Sequence, residues 1–284
     1  MGAAARTPKR TVTQMKNAFV IGTLGLAVSF AMLAFGFVAG NAATGRPVPP
    51  AVASRDAGGL DRAGIERIVR DYLVANPDVL VEAQAALETR HAEEQQAALR
   101  QTLSDEAGQI YDARYDGLIG NPDAKVTVVE FFDYNCTFCR HALGDMEKLV
   151  EDNPDLRFVM KEFPILGPDS QKAHVVSMAF RSLAPEKYTE FHTHLLGSAG
   201  RATEAAAIRV ATSLGVDEAA LRQAMKDPAI AAGFGETYDL ANKLSINGTP
   251  AYIIGQDVIS GALGHEALAQ KVAAVRDACA TASC

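Results

Sequence analysis

The chain has no tryptophan, only four cysteines in 284 residues, and no long tract of biased composition. The lack of tryptophan removes the indole as a stacking platform or buried anchor. A disulfide-stapled mini-protein is excluded by size, because a chain of this length buries a core without staples. With 48% hydrophobic and 21% charged residues, general disorder is excluded. Basic charge is scarce outside the first 17 residues. Those carry Arg6, Lys9, Arg10 and Lys16 and no acid, whereas the remainder holds 23 basic against 34 acidic residues, a net of −11. An acidic body is a poor match for a phosphate backbone, so no nucleic-acid partner is expected.

What is present begins with an uncharged stretch from Asn17 to Gly45. Its apolar part, residues 18–40, is about 22 residues, enough to cross a hydrocarbon core of roughly 30 Å as a helix. Basic residues precede it and Asp56, Asp61 and Glu66 follow it, so the positive-inside bias leaves residues 1–17 as a cytoplasmic tail and exports the body. The length favours a transmembrane helix or signal anchor. The small residues Gly40-Asn41-Ala42 keep cleavage of a signal peptide open as the alternative. Either way the body lies where disulfides persist. Residues 41–58, with Gly45, Pro47, Pro49, Pro50 and Gly58, read as a linker.

Residues 59–108 read as a helical region. Ile65, Ile68, Val69, Tyr72 and Leu73 recur at helical spacing over Asp61–Val74. Asn76-Pro77-Asp78 reads as an N-cap, a first-turn proline and a first-turn acid for a second helix, Pro77–Leu103. That helix has high propensity, but its apolar face is thin between Glu88 and Gln96. Without sustained heptads it is either a solvated spacer or an oligomerisation element.

The chemistry concentrates further on. Val126–Asp133 is β-branched and aromatic and reads as a buried strand. Tyr134-Asn135-Cys136-Thr137-Phe138-Cys139 follows, then a helix from His141 and a second strand, Leu156–Phe163. This β–α–β unit places C-x-x-C where strand gives way to helix. Thiol exchange needs a thiolate, and the free N–H groups and dipole of a helix N-terminus stabilise one. Cys136 is therefore the expected attacking thiol, and Cys139, one turn further in, resolves the mixed disulfide. A zinc site needs two more ligands at suitable spacing, which Cys279, Cys284 and His141 do not supply, so no metal is expected. The remaining alternative is an inert staple.

Three motifs together resemble the DsbA-like family of periplasmic thiol:disulfide oxidoreductases, which have a thioredoxin fold: Phe131-Phe132-Asp133-Tyr134-Asn135-Cys136-x-x-Cys139, Lys161-Glu162-Phe163-Pro164-Ile165-Leu166-Gly167 and Asn247-Gly248-Thr249-Pro250. Ile65–Leu73 and Asn76–Leu80 are similar to the N-terminal region of the ScsC-type disulfide isomerase subgroup. The resemblance implies an α/β thioredoxin-like domain over 115–284 with a helical insertion at about 168–245. It implies Pro250 in a cis bond, with Thr249 offering its backbone to an extended substrate. It also implies that Glu130, in the first strand, is a proton relay able to pair with Lys161, although an edge-facing charge is the alternative. No cofactor is implied. The implied partners are unfolded or misoxidised exported proteins, a membrane redox partner (a DsbB-like oxidant or a DsbD-like reductant) and, for the ScsC-type subgroup, further copies of the chain.

His174, His192 and His194 fall in the helical stretch and read as structural or surface groups; His192 and His194 do not share a helix face. Cys279 and Cys284 are expected to close a small terminal disulfide. A non-enzymatic alternative is a copper-binding or chaperone module holding Cu(I) through the C-x-x-C. The dipeptide Thr137-Phe138 places no histidine between the cysteines, so one stabiliser of the thiolate is missing. The protein is accordingly expected to be a milder oxidant than relatives with Pro-His between their cysteines, and a glutathione-equilibrated reduction potential equal to theirs would contradict this.

Overall fold

The computed structural model describes residues 61–281, with side chains given up to residue 278. The expected cytoplasmic tail, the expected transmembrane segment at 18–40 and the expected linker at 41–58 lie outside the described residues, as does Cys284 and with it the expected Cys279–Cys284 pairing. Among the described residues no helix is long and apolar enough to cross a membrane.

The chain divides into two compact units at Pro77/Asp78. The described part of the first is helix α1 (Arg62–Ala75), whose N-cap, Asp61, accepts a hydrogen bond from the Gly64 amide at 2.7 Å. Asn76 also acts backwards: its backbone N–H and side-chain amide both donate to the Tyr72 carbonyl, so it closes α1. A carboxamide is both donor and acceptor, and here the orphan carbonyls of the preceding helix take its donor. Ile65, Ile68, Val69 and Tyr72 are each about half exposed along one stripe.

The second unit starts with α2 (Asp78–Asp105) and α3 (Ala107–Tyr111). Strand β1 (Gly117–Gly120) then precedes β2 (Val126–Phe132), α4 (Thr137–Asp152) and β3 (Leu156–Glu162). Five helices follow: α5 (Pro168–Leu183), α6 (Tyr188–Leu196), α7 (Glu204–Ser213), α8 (Glu218–Ala224) and α9 (Pro228–Lys243). Hairpin β4 (Ala251–Ile254) and β5 (Asp257–Ser260) and helix α10 (His265–Thr281) complete it. The sheet order is β1-β3-β2-β4-β5; β2 and β3 run parallel and the other pairs antiparallel. This is a thioredoxin-like α/β fold with a mixed sheet. Strand β1 escaped the sequence reading because its four residues, Gly-Leu-Ile-Gly, look like a turn. Gly117 is needed there because the Tyr188 ring occupies the space a Cβ would take.

Both faces of the sheet are buried, and strand alternation sorts the side chains. Val126, Val128 and Phe132 join α4, α5, α6 and α10 in the larger core. Val129, Phe131 and Val159 pack on the other side against Leu103 of α2, Ile110 of α3, Leu240 of α9 and Leu244 just after it. The same alternation corrects the expected Glu130–Lys161 pair. In the parallel register Glu130 lies opposite Met160 and Lys161 opposite Phe131, so the carboxylate and the ammonium leave opposite faces of the sheet. Lys161 instead forms an ion pair with Asp116 at 2.5 Å and donates to the Gln109 carbonyl, tying the segment after α3 to β3. Burial raises the Asp116 carboxyl to about 6, against the pull of Lys161.

Removing one partner of a buried pair strands the other charge. Asp116→Asn is therefore expected to lower unfolding free energy by about 3 kcal/mol in a urea titration at pH 7. A loss below about 1 kcal/mol would mean the Gln109 carbonyl alone satisfies the ammonium.

Candidate active site

Strand β2 ends at Phe132, and the next four residues turn the chain into α4 through bonds made by Asp133. Its carbonyl accepts from the Cys136 amide at 2.9 Å, and its carboxylate accepts from the Asn135 amide at 2.8 Å and the Leu166 amide at 2.9 Å. Asn135 holds the inserted helices in place: its side chain exchanges two 2.9 Å bonds with the backbone of Ala202 and donates to Ser170. The turn delivers Cys136 to the N-cap of α4 with extended backbone (φ −79°, ψ 119°), and its sulfur accepts from the Cys139 amide at 3.3 Å.

Cys136 and Cys139 are both free thiols and both buried, 5% and 0% exposed. Their chemistry differs sharply. Cys136 is lowered to about 6, chiefly by a hydrogen bond from the Cys139 thiol, with help from Thr249 and the Cys139 and Phe138 amides, against the cost of burial. Cys139 is pushed up strongly, first by burial and then by the proton it shares with Cys136 and the charge of Glu130. One thiol is thus poised as a nucleophile at neutral pH and the other holds its proton.

The Thr249–Pro250 peptide is cis, and the Thr249 carbonyl lies 3.2 Å from the Cys136 sulfur. Strand β4 starts at the next residue and pairs with β2, which fixes the loop against the cysteines. Glu130 is buried on the same face of β2 as the cysteine core, opposite Tyr252 of β4. Burial, then the Cys136 charge, raise its carboxyl to about 8. Phe138, between the two cysteines, is 63% exposed, and Leu166, whose amide bonds Asp133, is 43% exposed. Lys161 does not join this site. Among the described residues no group of three or more His, Cys, Asp or Glu side chains is placed to hold a metal ion.

The sequence reading missed a buried polar cluster beneath the cysteine loop. His174 and His192, taken as structural or surface groups, are fully buried there. The Glu162 carboxylate bonds to His174 Nδ1 and accepts from Ser177 at 2.6 Å and Tyr188 at 3.4 Å. His174 Nε2 accepts from the Tyr134 amide at 3.1 Å, and the Tyr134 hydroxyl meets Ser177 at 2.9 Å. Burial disfavours a charged His174, while Glu162 and Asp133 raise its proton affinity. Buried His192, by contrast, is lowered to about 3. No spacing rule links Asp133, Glu162 and His174 in sequence; only the sheet and α5 bring them together.

With that geometry in view, the likenesses to known proteins are specific. The family model for the DSBA-like thioredoxin domain matches residues 127–273, and that for the copper resistance protein ScsC N-terminal domain matches residues 61–94. A thioredoxin-like oxidoreductase from Silicibacter pomeroyi is 35% identical (TM-score 0.57), covering 60% of this chain and 97% of its own. ScsC from Proteus mirabilis in a transitional conformation is 31% identical (TM-score 0.56), covering 74% of this chain and 94% of its own. The curated Na(+)/H(+) antiporter NhaA 3 of Salinispora tropica is 28% identical over 161 residues, 57% of this chain, but the chain spans only 25% of that antiporter's length. The matched domain covers the β2–α4–β3 unit, both cysteines and the Thr249–Pro250 loop, and the chain belongs to the family of DSBA-like thioredoxin domains.

Proposed function

We propose that this protein is a thiol–disulfide oxidoreductase acting on exported proteins in the periplasm, with Cys136 as the attacking thiol and Cys139 as the resolving one. The carrying observation is the asymmetry of the pair: a nearly buried sulfur at a helix N-cap with its pKa near 6, one turn from a thiol held strongly protonated.

In the reducing direction the Cys136 thiolate attacks a substrate disulfide. The substrate S–S bond breaks, a Cys136–substrate disulfide forms and one substrate sulfur leaves as thiolate. Cys139 then loses its proton and attacks the Cys136 sulfur, forming the Cys136–Cys139 disulfide and releasing the second substrate thiolate. Oxidation is the reverse, and isomerisation stops at the mixed disulfide and lets a substrate thiol displace Cys136. The cis Thr249–Pro250 loop lies where an extended substrate would pair with backbone beside the sulfur.

Glu130 suits the proton transfers at Cys139. While Cys136 is a thiolate its charge helps keep Glu130 protonated. In the mixed disulfide Cys136 is neutral, that repulsion disappears, and the carboxyl ionises more readily, ready to take the Cys139 proton. In the oxidising direction the protonated carboxyl returns it. The half-exposed stripe of α1, together with the ScsC N-terminal match over it, favours self-association and with it the isomerase direction. A membrane redox partner would keep the pair reduced in that case and oxidised in the other, and the uncharged segment at 18–40 would hold the body at the membrane.

Two outcomes test this. Cys139→Ser is expected to accumulate a mixed disulfide with a disulfide-bonded substrate on non-reducing gels, and in the reduced, unaltered protein iodoacetamide alkylation of Cys136 is expected to be half-maximal near pH 6. Stoichiometric Cu(I) binding without insulin reduction or refolding of a scrambled substrate would select the metal-holding alternative. For Glu130→Gln, the resolving step is expected to slow about a hundredfold and to lose its pH inflection, as removal of a general acid–base does. A pH profile superimposable on that of the unaltered protein would remove Glu130 from the mechanism.

A further inference from the structure

We propose that His174, clamped between Glu162 and the backbone amide of Tyr134, is a positioning residue that holds the Cys136 loop in its thiolate-stabilising shape. The inference rests on the thiol-exchange reading above and adds to it a residue on α5, 38 positions away in sequence, that touches neither sulfur nor substrate.

Three observations carry it. First, Tyr134 donates its backbone N–H to His174 Nε2 at 3.1 Å. A ring nitrogen that accepts a hydrogen bond carries no proton, so the imidazole proton sits on Nδ1, where it is donated to Glu162. Second, the amide so held is two residues before Cys136, in a turn whose other amides are also committed: Asn135 and Cys136 both donate to Asp133. The turn sets the backbone angles at Cys136, and with them the approach of the Cys139 amide to its sulfur at 3.3 Å. Third, the clamp is over-determined from behind. Glu162 accepts from Ser177 and Tyr188 as well as from His174, and Tyr134 is pinned at its far end by Ser177 and His192. The imidazole therefore has no alternative rotamer that keeps these bonds. The titratable groups facing it are Asp133 after β2, Tyr134 in the cysteine loop, Glu162 at the end of β3 and His192 on α6, with Tyr188 of α6 bonded to Glu162 behind it. Asp133 lies 3.9 Å from Nε2, beyond hydrogen-bond reach, so the Tyr134 amide is the nearer partner.

If the acceptor is lost, the Tyr134 amide is stranded in a buried site and the turn must move to satisfy it. The donors around the Cys136 sulfur are then misaligned, and the thiolate loses part of its stabilisation.

Two substitutions separate positioning from bulk packing. In His174→Gln the side-chain oxygen can stand near the Nε2 position and keep accepting from Tyr134. In His174→Asn the amide nitrogen stands near Nδ1, so the bond to Glu162 is kept and the acceptor is lost. The readout is the pH titration of the thiolate absorbance at 240 nm, which needs no substrate. His174→Asn is expected to raise the Cys136 midpoint by about half to one pH unit, the size of one hydrogen bond's net contribution. His174→Gln is expected to leave it within about 0.3 unit. Equal midpoints in the two variants, whether shifted or not, would overturn the proposal. If either variant fails to fold, ¹⁵N chemical shifts of the imidazole in the unaltered protein decide: a free Nε2 and a protonated Nδ1 at pH 7 are required, and a protonated Nε2 overturns it. Insulin reduction by the unaltered protein is measured alongside. Its failure would remove the exchange reading, whereas normal reduction with equal midpoints removes only the role of His174.

Discussion

A thiolate at neutral pH persists only where donors replace the water it has lost, and the arrangement of this molecule follows from placing one such sulfur at the start of α4. A nearly buried sulfur is disfavoured as an anion, so every bond that bends the chain from β2 into the helix contributes to keeping the Cys139 amide and thiol pointed at it. The same placement makes Cys139 different by geometry alone. One turn deeper it has burial without equivalent donors, and its proton stays. The proposed nucleophile and resolving group are thus the same functional group in two environments.

The burial that creates this asymmetry also creates a problem, because carboxylates and imidazoles share the same dry core. The two faces of the sheet handle it separately. On one face Asp133, Glu162 and His174 are satisfied by one another and by backbone amides of the cysteine loop, so charge that would be costly to bury serves to hold a turn. On the other, Lys161 and Asp116 neutralise each other and fasten the segment after α3 to the sheet. Glu130 is the exception. Among the described residues no charge partner offsets its burial, so burial and the Cys136 charge raise its carboxyl to about 8, which suits it to carrying a proton.

The inserted helices supply more than cover. Helix α5 carries His174 and Ser177 into the cluster, and the loop before it, entered through Gly167 at φ 104°, brings the Leu166 amide to Asp133. Ala202, between α6 and α7, receives both bonds of Asn135. The cysteine loop is consequently braced from the insertion side as well as from the sheet, and the exposed rim formed by Phe138 and Leu166 is attached to that same brace.

The amino-acid sequence by itself determined the β–α–β unit, the position of the cysteines at its strand-to-helix junction and the Thr249–Pro250 motif ahead of β4. These are local: hydrophobic period, breaker residues and a short motif are written within a few residues of one another. It also placed Glu130 in the buried strand. What only the tertiary structure decided depends on which face of a strand meets which helix. Lys161 follows Met160 by one residue, and that single step sends it to the far face and to Asp116 instead of Glu130. Asn76 reads as a start signal, and its donor also goes back to Tyr72, because a carboxamide carries a donor that the last carbonyls of the preceding helix can use. His174 and Glu162 look unremarkable 12 residues apart, and they become a unit only because α5 folds back over the end of β3 and closes the distance.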